Sequence, residues 1–180
     1  MADGRKYESA EKLNSTLTWI VDILNEKNID NWFVSYGTLL GLIREDSCID
    51  GDDDVDICIS KEHWDDVYDV LKKKNLIIPM SAYVQDNFFC TVRTSKLCQV
   101  DFYFCDVTED GDFIDTWEKV KWSMCYNVEG SIPTKTFQGR EVRVPENAIQ
   151  KLEGRYGSTW RQRIKRGTPA GDGYRDRKSI

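Results

Sequence analysis

The sequence predicts a mixed α/β domain of the α+β kind, a mixed sheet with flanking helices. Three observations carry this prediction. Segments with the three-and-four spacing of helices alternate with short segments of strand period, and a small β element and a helix follow. A chain of 180 residues is long enough for one domain with a real core. Hydrophobic residues make up 40% and charged residues 31%, which is a globular balance and not a disordered one.

The elements follow in chain order. Residues Tyr7 to Lys27 place Leu13, Leu17, Ile20, Val21 and Leu24 on one face of an amphipathic helix. "NWFVSYG", Asn31 to Gly37, reads as a short buried strand. "TLLGLIRE" reads as a short helix with Thr38 as its cap. "DVDICIS", Asp54 to Ser60, has the period of a strand. Lys61 to Asn75 reads as a helix with Trp64, Val67, Tyr68 and Leu71 inward and lysines in the last turn, where they complement the dipole. "NFFCTVRT" and "CQVDFYFCDV" read as two strands joined by a short turn. Trp117 to Asn127 is ambiguous. Thr134 to Pro145 reads as a hairpin around Gln138-Gly139, and a helix is expected from near Pro145 to Gly154. One domain is expected over residues 1–160, with a basic, irregular tail over 161–180.

Composition limits the functional classes. No stretch approaches the roughly 18 to 20 apolar residues of a membrane span. The first ten residues lack the apolar core of a signal peptide. The expectation is a soluble cytoplasmic enzyme, or a domain of a longer protein. Six cysteines without a CxxC pair, and a single histidine, argue against structural zinc. The cysteines read as reduced core residues, with a Cys90–Cys98 disulfide across a hairpin left open. The net charge of −6 divides into +6 over Arg155 to Ile180 and −12 over the rest. An acidic body suits a cation, and a basic tail suits an anion or simply solvent. No RNA- or DNA-binding motif appears, so nucleic acid is not the expected partner.

The informative stretch is "GTLLGLIREDSCIDGDDDVDICIS", with five aspartates between Asp50 and Asp56. Residues two apart in a strand share a face, roughly 6.5 to 7 Å apart, so Asp54 and Asp56 point the same way. Val55, Ile57 and Ile59 point the other way. Asp101 is likewise an acid inside an apolar alternation, between Val100 and Phe102. If the two strands are neighbours, three carboxylates meet on one face. Two unit charges 4 Å apart repel by about 4 kcal/mol at an effective dielectric near 20. Either protonation or a divalent cation must offset that. Oxygen ligands without a histidine cluster point to Mg²⁺ or Mn²⁺. An EF-hand loop starting at Asp50 fails, with Val55 where glycine is needed and Lys61 where glutamate is needed. Asp50 and Asp53 read as a solvated acidic turn.

Gly37 and Thr38 lie where a strand hands over to a helix. Such a terminus offers backbone N–H groups and positive potential to a phosphate, and glycine permits close approach. Arg44 closes the same helix and could neutralise phosphate or simply lie at the surface. The remaining candidates are weaker. His63 has no Gly-x-Ser-x-Gly elbow to serve. Cys48 and Cys58 have no basic neighbours in sequence to activate them. Tyr156 and Trp160 could stack on a base or sugar, or pack into the core. Arg161, Arg163, Lys165 and Arg166 could grip an anion.

The residues Gly37, Thr38, Leu40, Gly41 and Arg44, followed by Asp52, Asp54 and Asp56, resemble the signature of the LicD family, which includes the fukutin and fukutin-related proteins. Tyr156, Gly157 and Trp160 resemble the Tyr-Gly-x-x-Trp segment near the end of such domains, and Asp101 the third acid of the wider fold. The resemblance spans about Trp32 to Trp160. It departs from the family at Asp50-Gly51, where Pro-Trp is usual. The resemblance implies a polymerase-beta-like nucleotidyltransferase fold. It also implies a phosphotransferase that moves phosphocholine or a polyol phosphate from a CDP-linked donor to a glycan hydroxyl. On that basis Asp54 and Asp56, with Asp52 as a further ligand, would hold Mg²⁺ or Mn²⁺. Asp101 would ligate a second ion or take the acceptor's proton. Gly37 and Thr38 would hold a phosphate, and Arg44, Arg93 and Lys96 would offset its charge. A nucleotidyltransferase and a non-catalytic nucleotide-binding module are the alternatives.

Overall fold

The structure is a computed structural model that describes residues 7–74, 88–92 and 96–163. Helix α1, Ala10–Glu26, starts where the Ser9 hydroxyl accepts from Lys12 N–H, and it buries Leu13, Leu17, Ile20, Val21 and Leu24 as the periodicity predicts. Strand β1 is Trp32–Val34, helix α2 is Tyr36–Glu45 and strand β2 is Asp54–Ser60. A 3₁₀ turn, Lys61–His63, leads into helix α3, Trp64–Lys73. Strands β3, Phe88–Val92, and β4, Gln99–Val107, precede two short strands, β5, Phe113–Asp115, and β6, Val120–Trp122. The hairpin of β7, Thr134–Phe137, and β8, Arg140–Arg143, is followed by helix α4, Ala148–Tyr156.

The main sheet has the order β1-β2-β4-β5-β6, and β3 pairs with β4 on the side away from β2. β2 and β4 run parallel, and the other pairings are antiparallel. One face of the central pair carries Val55, Ile57, Ile59, Val100, Phe102 and Phe104, all at most 2% exposed. Side chains of that size, fully removed from water, contribute about 1.5–3 kcal/mol each before entropy is counted. The opposite face carries the acids, then Cys58, Tyr103, Ser60 and Cys105 toward the far strand ends. All six cysteines are buried thiols.

Several boundaries and faces differ from the sequence reading. α2 starts at Tyr36, two residues early, so Thr38 is inside the first turn and Ser35 occupies the cap. α3 buries Val67, Val70 and Leu71, while Tyr68 lies outside, stacked on Trp64 at 6.1 Å. The ambiguous stretch after Trp117 contains β6. α4 runs past Gly154 and stops at Gly157, whose φ of +83° ends the helix. The Gln138-Gly139 turn forms as expected, with φ values of 46° and 76° suited to a tight hairpin. Arg93 and the tail from residue 164 onward, including Lys165 and Arg166, lie outside the described residues.

Candidate active site

The register of the parallel pair builds the site. Asp54 lies beside Gln99 and Asp56 beside Asp101. Partners on neighbouring strands share a face, so Asp101 stands on the face of Asp54 and Asp56. Asp56 and Asp101 are each 6% exposed, while Asp52, Asp53 and Asp54 are half-buried at the entrance.

Each buried carboxylate is held by protein donors. The Gly37 N–H donates to Asp56 Oδ2 at 3.1 Å, and the Tyr103 hydroxyl donates to Asp56 Oδ1 at 3.2 Å. The Asp56 backbone N–H donates to Thr38 Oγ1 at 2.9 Å. Asp101 Oδ1 accepts from the Thr91 hydroxyl and from Gln99 Nε2, both at 2.8 Å. Burial pushes the Asp56 carboxyl well above the usual carboxylate range, and the charges of Asp54, Asp101 and Asp52 push it further. The Tyr103 hydrogen bond opposes that rise without cancelling it.

Gly37 and Thr38 therefore serve the aspartate strand directly. Glycine at 37 leaves room for Asp52, because a Cβ there would lie 2.6 Å from Asp52 Oδ2. Its residue type was legible in the sequence, but its hydrogen-bond partner was not.

Carboxylate oxygens of Asp52, Asp53 and Asp54 lie within 4.8 Å of one another. Oxygen donors grouped in this way are of the type that a hard divalent cation takes. Asp53, which the sequence placed in a solvated turn, belongs to this trio. Asp50 has a structural task instead: its Oδ1 accepts from Ala10 N–H at 3.0 Å, at the start of α1. Gly51, with φ of +83°, donates its N–H to Glu8 O at 3.0 Å. The Asp50-Gly51 pair thus ties the acidic loop to the chain before α1.

The profile described as LicD/FKTN/FKRP, nucleotidyltransferase domain, matches residues 28–156, most of the chain. The chain belongs to this family. No curated protein matches it. Its fold is similar to that of the lincosamide antibiotic adenylyltransferase LnuA, solved with lincomycin bound. That likeness has a TM-score of 0.55 at 13% identity, covering 77% of this chain and 83% of the other. A Thermotoga maritima protein described as a nucleotidyltransferase gives a TM-score of 0.52 at 14% identity, covering 81% and 84%. At these identities the likeness shows the fold, which is of the polymerase-beta-like nucleotidyltransferase type.

The remaining residues of this LicD-family domain fall around the acids. Tyr156 lies near enough for Asp56 and Asp52 to help raise its phenol, which burial first of all pushes up to about 12. Trp160 is a core residue, 4% exposed. Arg44 directs Nε to Glu45 Oε1 at 2.8 Å and Nη1 to the Trp160 carbonyl at 3.4 Å. Arg163 pairs with the same glutamate, so these cations join α2 to the segment after α4. Burial pushes the Glu45 carboxyl up, but Arg163 and Arg44 outweigh it and hold it below its ordinary range. Lys96 is exposed just before β4.

Sequence reasoning missed Tyr103 and Arg155. Tyr103 is two residues after Asp101, so strand period would have placed it on the acid face. Arg155, 5% exposed, lays its guanidinium over the Tyr36 ring at 4.3 Å, a contact no local pattern announces. His63 lies between Glu62, at 3.7 Å, and Asp66, at 3.6 Å, away from the acid face. A cleft of about 450 Å³ lined by Ser60, Lys61, Asp106 and Tyr126 lies at the far ends of β2 and β4 from the acids.

Among the described residues, no helix is long and apolar enough to cross a membrane.

Proposed function

We propose that this domain is a metal-dependent phosphotransferase that moves a phosphoalcohol, phosphocholine or a polyol phosphate, from a CDP-linked donor to a glycan hydroxyl. The observation that carries the reading is the pairing of Asp56 with Asp101 beside the first turn of α2. Asp54 and Asp56, with Asp52, would hold Mg²⁺ or Mn²⁺, and Asp53 offers a carboxylate oxygen within 4.8 Å of those of Asp52 and Asp54. When bound, the ion supplies charge neutralisation on the donor's diphosphate.

Asp101 would accept the acceptor hydroxyl's proton, or serve as a further ligand. The freed oxygen attacks the phosphorus that bears the alcohol. A new P–O bond forms there, and the bond from that phosphorus to the bridging oxygen breaks. CMP leaves with the bridging oxygen, and the product is a phosphodiester. Thr91 and Gln99 orient Asp101 for this task by holding its Oδ1. Gly37 and Thr38 keep β2 against α2, and a phosphate at the same terminus would use the neighbouring N–H groups. Arg44 would act mainly by fixing the end of α2, with Lys96 and Arg93 as cations for the donor.

Transfer of a nucleotidyl group is the second reading, since the similar solved structures include an adenylyltransferase. Products separate the two. CMP release from a CDP-linked donor supports phosphoalcohol transfer, whereas pyrophosphate release from CTP supports nucleotidyl transfer. Asp101→Asn should lower turnover by about 10²- to 10⁴-fold, and Asp54→Asn should weaken Mn²⁺ binding by at least about tenfold. Near-normal turnover by both folded variants rejects the scheme.

A further inference from the structure

We infer that Tyr103 is a positioning residue that sets the orientation of the Asp56 carboxylate, braced from behind by the Tyr36–Asp115 pair. The inference rests on the metal-dependent reading above. It concerns which residue aims a proposed ligand, not whether the ligand is used.

The terminal torsion of an aspartate is broad and roughly two-fold, so a carboxylate held at one oxygen can still turn. Asp56 is held at both. Gly37 N–H reaches Oδ2 at 3.1 Å and Tyr103 O–H reaches Oδ1 at 3.2 Å. The two donors come from different elements, α2 and β4, and together they fix the plane of the group. At 3.2 Å the phenol contact is longer than the roughly 2.5–2.7 Å of a strong O–H···O⁻ bond. Its contribution is therefore direction more than attraction.

A donor can aim a carboxylate only if it is itself immobile. The Tyr103 ring, 7% exposed, meets the Tyr36 ring edge-on, with centroids 4.8 Å apart and planes at 65°. Tyr36 in turn donates its hydroxyl to Asp115 Oδ2. Asp115 Oδ1 is fixed by the backbone N–H groups of Trp117, at 2.9 Å, and Glu118, at 3.1 Å. Trp122 packs on Tyr36 from a third side, at 5.3 Å. A continuous set of contacts thus runs from the β5–β6 turn through two tyrosines to Asp56. It gives both oxygens of Asp115, only 1% exposed, a hydrogen-bond partner.

Mn²⁺ binding to the full chain without donor, followed by electron paramagnetic resonance, tests this in wild type, Tyr103→Phe, Tyr36→Phe and Asp54→Asn. Phenylalanine keeps the ring packing and removes one hydroxyl. Tyr103→Phe should weaken Mn²⁺ affinity about tenfold. It should lower kcat at subsaturating metal, leave the donor KM unchanged at saturating metal, and leave the metal-free Tm within about 2 °C. Tyr36→Phe, which keeps the Tyr103 hydroxyl, should weaken Mn²⁺ in the same direction by a smaller factor. Wild-type Mn²⁺ affinity in Tyr103→Phe, alongside lost binding in Asp54→Asn, overturns the positioning role and leaves the metal reading standing. An unchanged Tyr36→Phe removes the brace. A wild-type protein that binds no Mn²⁺ overturns both.

Discussion

Gly37 and Asp115 show what single residues decide. A methyl at Gly37 would meet Asp52 Oδ2 at 2.6 Å and Asp56 Oδ2 at 3.5 Å. Asp52 is half-buried and can swing away, and alanine gains about 1 kcal/mol of helix propensity over glycine. Gly37→Ala should therefore change Tm little, yet weaken Mn²⁺ by about tenfold because Asp52 leaves its place. Calorimetric titration beside a melting curve checks this split. Burial holds the Asp115 carboxyl above its ordinary range, although Tyr36 and two backbone N–H groups oppose the rise. The folded chain thus keeps that proton to higher pH than the unfolded chain. Its contribution to stability is greatest below the unfolded value, about 3.9, and declines as pH rises through the raised one. Asp115→Asn carries no such slope. Urea midpoints at pH 4 and pH 7 should therefore move in favour of the variant, relative to wild type, as pH rises. Movement the other way rejects the account.

At the scale of elements, α2 is the piece on which the site depends. It joins β1 to the acidic loop, packs on β2, and receives Asp56 at its first turn. Its second glycine, Gly41, has a packing reason. A Cβ there would lie 2.5 Å from the Ser47 carbonyl oxygen and 3.0 Å from Ile49, neither of which can swing aside cheaply. Gly41→Ala should cost about 1–3 kcal/mol by overpacking, and Tm should drop by several degrees in differential scanning calorimetry. A Tm at or above wild type would show that the 46–49 turn yields more easily than this geometry suggests. The Leu-Gly of "GTLLG" was visible as a motif in the chain. Its cause, the return of the loop across the helix, was not, because that contact depends on where residues 46–49 fold.

Over the whole molecule, the charge is arranged by location. Acids collect at the start of the parallel pair, while Arg44, Arg155 and Arg163 gather where α2 meets the C-terminal segment. A cation that binds the folded chain and not the unfolded one stabilises it by mass action, about 2.7 kcal/mol at 100 times Kd. Mn²⁺ should therefore raise Tm by several degrees, and a CDP-alcohol should raise it further only with Mn²⁺ present. A thermal-shift series over metal and nucleotide reads this directly. A CDP-alcohol shift of equal size without metal would separate donor binding from the acids.

The local pattern alone determined a good deal. Strand period placed Asp54 and Asp56 on one face of β2 and set Asp101 apart from its apolar neighbours. Helical spacing identified the buried face of α1, and the run from Gly37 to Asp56 identified the family. These are short-range properties, set by backbone geometry within a few residues. Only the tertiary structure decided that β2 and β4 are adjacent and in register. The same is true of the Gly37 N–H meeting Asp56, and of Tyr103, Tyr36 and Asp115 standing behind it. Those contacts join residues 19 to 79 positions apart. Side-chain packing between elements selects them, and no local periodicity encodes a partner at that distance.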